Sequence, residues 1–290
     1  MEIEKYVSPL DGVKVIECAS PRIVESPVYT GENFRVGKDE FSLDTPEIGR
    51  FYVRGGSEVE YNVCQGADEG WVRLWLNGQV TVALLHQRGI ITFHASSFVH
   101  EGLGVMVLGE SGAGKSSLTA SFSLGGAGFL TDDVTPVMFQ DSQPVIRPLH
   151  ESIRIRKNTA EQLRVESGLL REAETGTGKQ YVDVGRAGEG LFLLGVIIKI
   201  EIGDVLKPVF DVPAPSGKFE LLRSEICMSE ILAGMPETEA DYLQQLVKMI
   251  EKVPVVRVVR PEEVRIAKLH EAVELHLEGM RGQMCGKIGV

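Results

Sequence analysis

The stretch GVMVLGESGAGKSSLTASFSLGGAGFLTDD, from Gly104 to Asp133, decides how this chain is read. Its centre, GESGAGKS from Gly109 to Ser116, fills every fixed position of G-x-x-x-x-G-K-[ST] and carries glycines at 109, 112 and 114. Glycines let the backbone curl until successive N–H groups point inward at a phosphate. Lys115 then reaches the terminal phosphates, and the Ser116 hydroxyl is placed to ligate Mg²⁺. The apolar run GVMVL before the loop reads as a buried strand. SSLTASFSL after it reads as a helix whose N-terminus faces the anion. Gly109, Ser111, Gly112, Ala113, Gly114, Lys115, Ser116 and Ser117 are therefore the expected nucleotide-binding residues.

Working outward on the N-terminal side, HASSFVH reads as a strand and EGLG as a turn, so the loop strand gains an antiparallel neighbour. A hairpin that sets His100 opposite Val105 places His94 opposite Ser111, beside the terminal phosphates. That position makes His94 a candidate catalytic group. On the C-terminal side, GGAG stops the helix and GFLTDDVTPV reads as a strand whose apolar part ends at two carboxylates. In phosphate-loop folds an acidic residue at such a strand end sits beside the Mg²⁺ site. Adjacent residues of an extended chain point to opposite sides, so Asp132 and Asp133 should divide the work. One would hold Mg²⁺, directly or through water, and the other would take the proton of an incoming hydroxyl.

The bulk composition bounds this reading. The chain has 290 residues, 43% of them apolar and 24% charged, and a net charge of −11. These values fit a soluble globular protein and argue against a nucleic-acid-binding surface. No run of about 18 apolar residues occurs, so no membrane span is expected. MEIEKYVSPLDG has no apolar core of a signal peptide. Cys18, Cys64, Cys227 and Cys285 are scattered with no C-x-x-C pair, and read as reduced thiols of a cytoplasmic protein.

Three regions are expected: a β-rich region over 1–90, the phosphate-loop core over 91–210, and an α/β segment over 211–290 packed on that core. Trp71 and Trp75 read as core anchors. The Asn77-Gly78 pair in WVRLWLNGQVTVALL suggests a turn, so that stretch reads as a strand followed by a helix or second strand. RPLHESIRIRKNTAEQLRV starts extended and becomes helical. ETGTGKQYVDVGRAGEG, residues 174–190, reads as a mobile surface loop that includes Lys179 and Arg186. LFLLGVIIKIEIG is a buried strand interrupted by Lys199, which either reaches the edge or meets an anion. PEEVRIAKLHEAVELHLEGM reads as an amphipathic helix opened by Pro261, and RGQMCGKIGV as its frayed end.

With these residues in view, the chain resembles the HPr kinase/phosphorylase family over residues 85–205, and in particular the shorter HPr-kinase-like serine kinases. HASSFVHEGLGVMVLGESGAGKSSLTASFSLGGAGFLTDD follows the family order of histidine strand, turn, phosphate loop, helix, glycine and a strand ending in paired aspartates. The resemblance implies an α/β fold with a mixed, partly antiparallel sheet, similar to phosphoenolpyruvate carboxykinase. It also implies ATP and Mg²⁺ as cofactors, with His94 and Asp132 around the reacting phosphate, where Asp132 takes the hydroxyl proton, and with Asp133 beside Ser116 on the metal. Ser117 stands where the bifunctional enzymes have an acidic residue, and the first 90 residues do not resemble their front domain. Both departures point away from phosphorylase activity and from HPr as acceptor, and toward the compact kinases that phosphorylate a serine of a small ribosomally made peptide, such as a lasso peptide. Larger members assemble into hexamers, which leaves a homo-oligomer open.

The expected function is an ATP-dependent serine kinase acting on a peptide or small protein, with Asp132, His94 and Lys115 catalytic. One alternative is a small-molecule or carboxykinase-like phosphotransferase, for which Arg147, Arg154, Arg156 and Lys199 would have to converge. Another is a non-catalytic nucleotide-binding switch. Glu151 is a loose candidate for a second metal carboxylate.

Overall fold

The structure is a computed structural model that describes residues 8–285, with the backbone alone described over 281–285. Sequence readings of residues 1–7 and 286–290 lie outside the described residues. The described residues are mixed α/β, with sheets of six, nine and three strands.

The nine-stranded sheet is built around Phe192–Ile202, an eleven-residue strand rich in Leu, Ile and Val. Such a run suits a strand covered on both faces. It pairs in parallel with Leu103–Gly109, which leads into the glycine-rich loop, and in parallel with Val255–Arg260. Near its start it pairs antiparallel with Gln143–Ile146. The loop strand is flanked on its other side by Ala95–His100, antiparallel, and that strand by Gly128–Thr131. The sheet is therefore mixed around the loop, as expected. The 211–290 segment does more than pack on the core, because its strand Val255–Arg260 belongs to the sheet.

The hairpin is tighter than the sequence reading. His100 lies opposite Leu103, across a two-residue turn in which Glu101 and Gly102 both have positive φ (48° and 85°). A turn with both central residues left-handed matches strand twist better than the four-residue EGLG turn. His94 accordingly precedes the strand, at the bend after Ile91–Phe93, and is not opposite Ser111.

In the front half, a six-stranded sheet runs as an antiparallel meander from Tyr29–Thr30 to Glu58–Val63, with Lys14–Glu17 added in parallel at its edge. The 69–87 stretch corrects the strand reading: it is helical throughout, as Glu69–Trp75, the π-helical Leu76–Val80 and Thr81–Gln87. Asp68 caps it by accepting from the Trp71 N–H at 3.0 Å. The Asn77-Gly78 pair is absorbed in the π turn, where the Thr81 hydroxyl donates to the Leu76 carbonyl at 2.8 Å. Val72, Leu76, Val80, Ala83 and Leu84 form the apolar face, packed with Phe41, Phe51 and Val53 of the sheet. Trp75 packs against this core, while the Trp71 indole reaches out to donate to the Thr175 carbonyl at 3.2 Å.

Two further readings change. The 174–190 stretch contains a strand, Lys179–Asp183, held between Ser152–Arg156 and Leu170–Glu172 in the three-stranded sheet. Pro261 does not open the last helix, which runs Ile266–Cys285 and so includes 281–285 of the stretch read as frayed. The Arg260 guanidinium donates to the carbonyls of Pro261 (2.7 Å) and Glu262 (2.8 Å), and this holds the intervening segment as a turn. Among the described residues, no helix is long and apolar enough to cross a membrane.

The front helix is joined to the rest through His86, which is fully buried. Its Nε2 donates to the Cys227 carbonyl at 2.7 Å, and the Tyr242 hydroxyl lies 3.0 Å from its Nδ1. Burial lowers its pKa from 6.5 to about 4. The unfolded chain therefore binds the proton more readily, and stability falls as the pH drops from about 6.5 towards 4. His86 should account for ~3 kcal/mol of the stability lost across that window, read as the difference in pH slope between urea melts of the parent and of His86→Gln. An unchanged slope in that variant would contradict this role.

Candidate functional site

The loop between Leu103–Gly109 and the helix Lys115–Leu124 curls as the sequence implies, with positive φ at Gly109 (152°), Gly112 (87°) and Gly114 (109°). Gly109 is needed for space as well, since a Cβ there would meet the Ile200 carbonyl at 2.7 Å. The loop borders a 460 Å³ cavity lined by Ser111, Gly112, Gly114, Lys115, Ser116 and Ser117. Gly109 and Ala113 do not line it: Ala113 is buried beneath the loop. Lys115 is buried, and its ammonium donates to the Gly109 carbonyl at 2.6 Å. Burial lowers its pKa, against the pull of Glu225 and the two aspartates. The Ser117 hydroxyl lies 3.0 Å from that of Thr159.

An arginine that sequence reading passed over holds this loop and also lines the cavity. Arg260, at the end of Val255–Arg260, is 8% exposed. Its Nε donates to the Ala113 carbonyl at 2.8 Å and its Nη2 to the Gly112 carbonyl at 3.2 Å. Carbonyls turned outward to a guanidinium leave the loop's N–H groups free to face an anion. The only sequence signal was an arginine closing a valine-rich strand.

The aspartates take the opposite partners from those expected. Asp132 accepts from the Ser116 hydroxyl at 2.8 Å and from the Arg154 backbone N–H at 3.1 Å. Asp133 sits in the left-handed region, with φ 63°, and its carboxylate lies 4.0 Å from His94 Nε2 and 3.5 Å from the Arg154 guanidinium. The extended-chain argument fails at one residue: the strand ends at Thr131, and the left-handed turn at Asp133 swings its side chain toward His94. Burial, with Asp133 adding to it, pushes the Asp132 carboxyl up to about 7. A buried carboxylate so poorly compensated is a place for a cation. Ser116 and Asp132 supply hard oxygen donors of the kind Mg²⁺ takes from protein while phosphate and water complete its shell. The residues present thus fit Mg²⁺.

Behind the site lie buried acid–base pairs. The His94 N–H donates to the Glu225 carbonyl at 2.8 Å, and the Glu225 carboxylate pairs with Lys199. Lys199 therefore meets an anion and does not reach the edge. Arg154 pairs with Glu174, which is 3% exposed, at 2.8 Å. Burial and Lys115 lower the His94 pKa, so its imidazole is neutral at pH 7. Glu174 lies in the stretch read as a surface loop, and neither it nor Glu225 carried a sequence signal.

A second cavity, of 360 Å³, shares Asp133 and Arg154 with the first. Its walls include Asp132, His150, Arg171 and Tyr181 from the core, and Arg73, Asn77 and Gly78 from the front helix. Of the basic residues that a small-molecule enzyme would need, Arg154 and Arg156 line the first cavity, Arg147 pairs with Asp11, and Lys199 lies with Glu225. That set does not converge. Lys179 lines the first cavity, whereas Glu151 is largely exposed and paired with Arg186 at 3.2 Å, away from Ser116.

No family model and no curated protein sequence matches the chain. Among solved structures, it is similar to the Hpr(Ser) kinase/phosphatase from Coxiella burnetii. The two share 16% identity at a TM-score of 0.37, over 67% of this chain and 97% of that one.

The grip of Arg260 leads to an expected outcome. Arg260→Met removes two charged hydrogen bonds to the loop and should weaken triphosphate binding by roughly 10- to 100-fold. Arg260→Lys should restore part of the loss. Titration with a fluorescent ATP analogue, alongside a thermal melt, measures both. Full affinity in a folded Met variant would contradict the role.

Proposed function

We propose that this protein is an ATP-dependent phosphotransferase that moves the γ-phosphoryl group to a serine hydroxyl of a peptide or small protein. The observation that carries the reading is Asp133, which lines both the loop cavity and its neighbour with His94 beside it. A transferred phosphoryl group needs its donor on one side and its acceptor on the other, roughly in line.

In this reading the loop N–H groups and Lys115 bind the β- and γ-phosphates. Ser116 and Asp132 hold Mg²⁺, which supplies charge neutralisation on the phosphate oxygens. Asp133 accepts the proton of the incoming hydroxyl. Neutral His94, 4.0 Å away, orients that carboxylate without competing for it as a cation would. Arg154 holds Asp133 from its other side and is itself fixed by Glu174. Most of the rate comes from placement and charge, with little covalent work for the protein. The roles of the two aspartates are thus exchanged relative to the sequence reading, following the Ser116–Asp132 hydrogen bond.

Asp133→Asn should bind ATP as the parent does, yet transfer phosphate roughly 10²–10⁴-fold more slowly. Asp132→Asn should instead raise the Mg²⁺ concentration needed for half-maximal activity. Radiolabel transfer from γ-labelled ATP to a serine-peptide library measures both. Unaltered transfer by the Asp133 variant would remove the proposed base, and ATP hydrolysis with no acceptor labelled would favour a nucleotide-dependent switch.

A further inference from the structure

The second cavity has a chemistry of its own. At 360 Å³ it lies near the lower end of small-molecule pockets, which run from about 300 to 1,000 Å³. It admits a metabolite or a side chain with its nearest neighbours, and a folded surface would not enter it. Three arginines, Arg73, Arg154 and Arg171, line it. Arg154 is occupied by Glu174 and Asp133. Arg73 pairs with Glu69 at 2.7 Å and Arg171 with Asp183 at 2.6 Å, both on the surface. Exposed pairs of this kind contribute little, so another carboxylate can replace Asp183 at small cost. The cavity's remaining acid outside the aspartate pair, Glu151, is taken up by Arg186.

The front helix is shaped to this space. Its π-helical turn, Leu76–Val80, brings Asn77 and Gly78 into the wall, and a Cβ on Gly78 would meet nothing within 4 Å. π turns inside helices recur at functional sites. The helix start is also tied to the core. A Cβ on Gly70 would strike the Ala173 carbonyl at 2.7 Å, and Thr175 donates to the capping Asp68. His150, held neutral by burial with a pKa of about 4, adds one donor and one acceptor to the wall.

We infer that this cavity is the acceptor subsite, and that the acceptor pairs its hydroxyl with a nearby carboxylate. Arg171 holds the carboxylate, and Asp133 receives the hydroxyl. The inference rests on the phosphotransferase reading above and narrows it. In the step itself, the acceptor oxygen bonds to the γ-phosphorus while the bond from that phosphorus to the β–γ bridging oxygen breaks. The hydroxyl proton goes to Asp133, and ADP leaves with the bonding pair. The carboxylate comes either from a hydroxy acid or from an acidic residue beside a serine in a peptide.

Two matched pairs of probes test this: glycerate against glycerol, and amidated short peptides with serine beside aspartate against serine beside asparagine. Binding is read by saturation-transfer NMR with an ATP analogue present, and transfer is read separately by radiolabel. The carboxylated member of at least one pair should bind at least roughly tenfold tighter, as a bidentate arginine contact provides. Arg171→Ala should erase that preference with ATP affinity kept, and the pair that responds identifies the source. Equal binding within both pairs, no binding by any probe, or a preference that survives Arg171→Ala would overturn the inference. Arg171-dependent binding without transfer would leave the subsite standing and reject the phosphotransferase reading. Transfer without Arg171 dependence would do the reverse.

Discussion

Asp132 is the constraint on which the site is built. One oxygen accepts from the Ser116 hydroxyl at the start of the loop helix, and the other from the Arg154 backbone in the three-stranded sheet. A carboxylate 7% exposed thereby fastens three elements to one point: the loop helix, the strand Gly128–Thr131 and the strand Ser152–Arg156. Its raised pKa is the electrostatic cost of that burial. A divalent cation at Ser116 would relieve that cost, so the same group that organises the fold also invites the metal.

The site is assembled from distant parts of the chain. Arg260, from the last strand, fixes the outward carbonyls of the loop, and Glu225 fixes the His94 backbone. Asp68 and Trp71 of the front helix reach Thr175, next to the Glu174 that holds Arg154. The front half thus has a route of direct contacts to Asp133. The helix closes one wall of the second cavity, and the sheet packs behind the helix.

Local signals in the sequence carried the loop far. Gly109, Gly112, Gly114, Lys115 and Ser116 have a spacing with few physical uses, and the strand and helix around them followed from hydrophobic pattern. The antiparallel neighbour was legible from HASSFVH and its glycine turn. The register was not, because Glu101 adopts a left-handed conformation that its residue type does not announce. Asp133 misled for the same reason: alternation holds only while the chain stays extended. The front helix was hidden because Asn77-Gly78 is a strong turn signal, here overridden by burial of Leu76 and Val80. Arg260, Glu174 and Glu225 act through tertiary contacts 20 to 148 residues away in sequence, which no local pattern encodes.

The most direct measurement is a crystal structure with Mg²⁺ and a non-transferable ATP analogue. The expected result has the γ-phosphate at the boundary of the two cavities, between Lys115 and Asp133, the metal on Ser116 and Asp132, and Arg260 still holding both carbonyls. A triphosphate directed away from His94 and Asp133, or a metal bound at Asp133 with Asp132 left on its backbone partner alone, would contradict it.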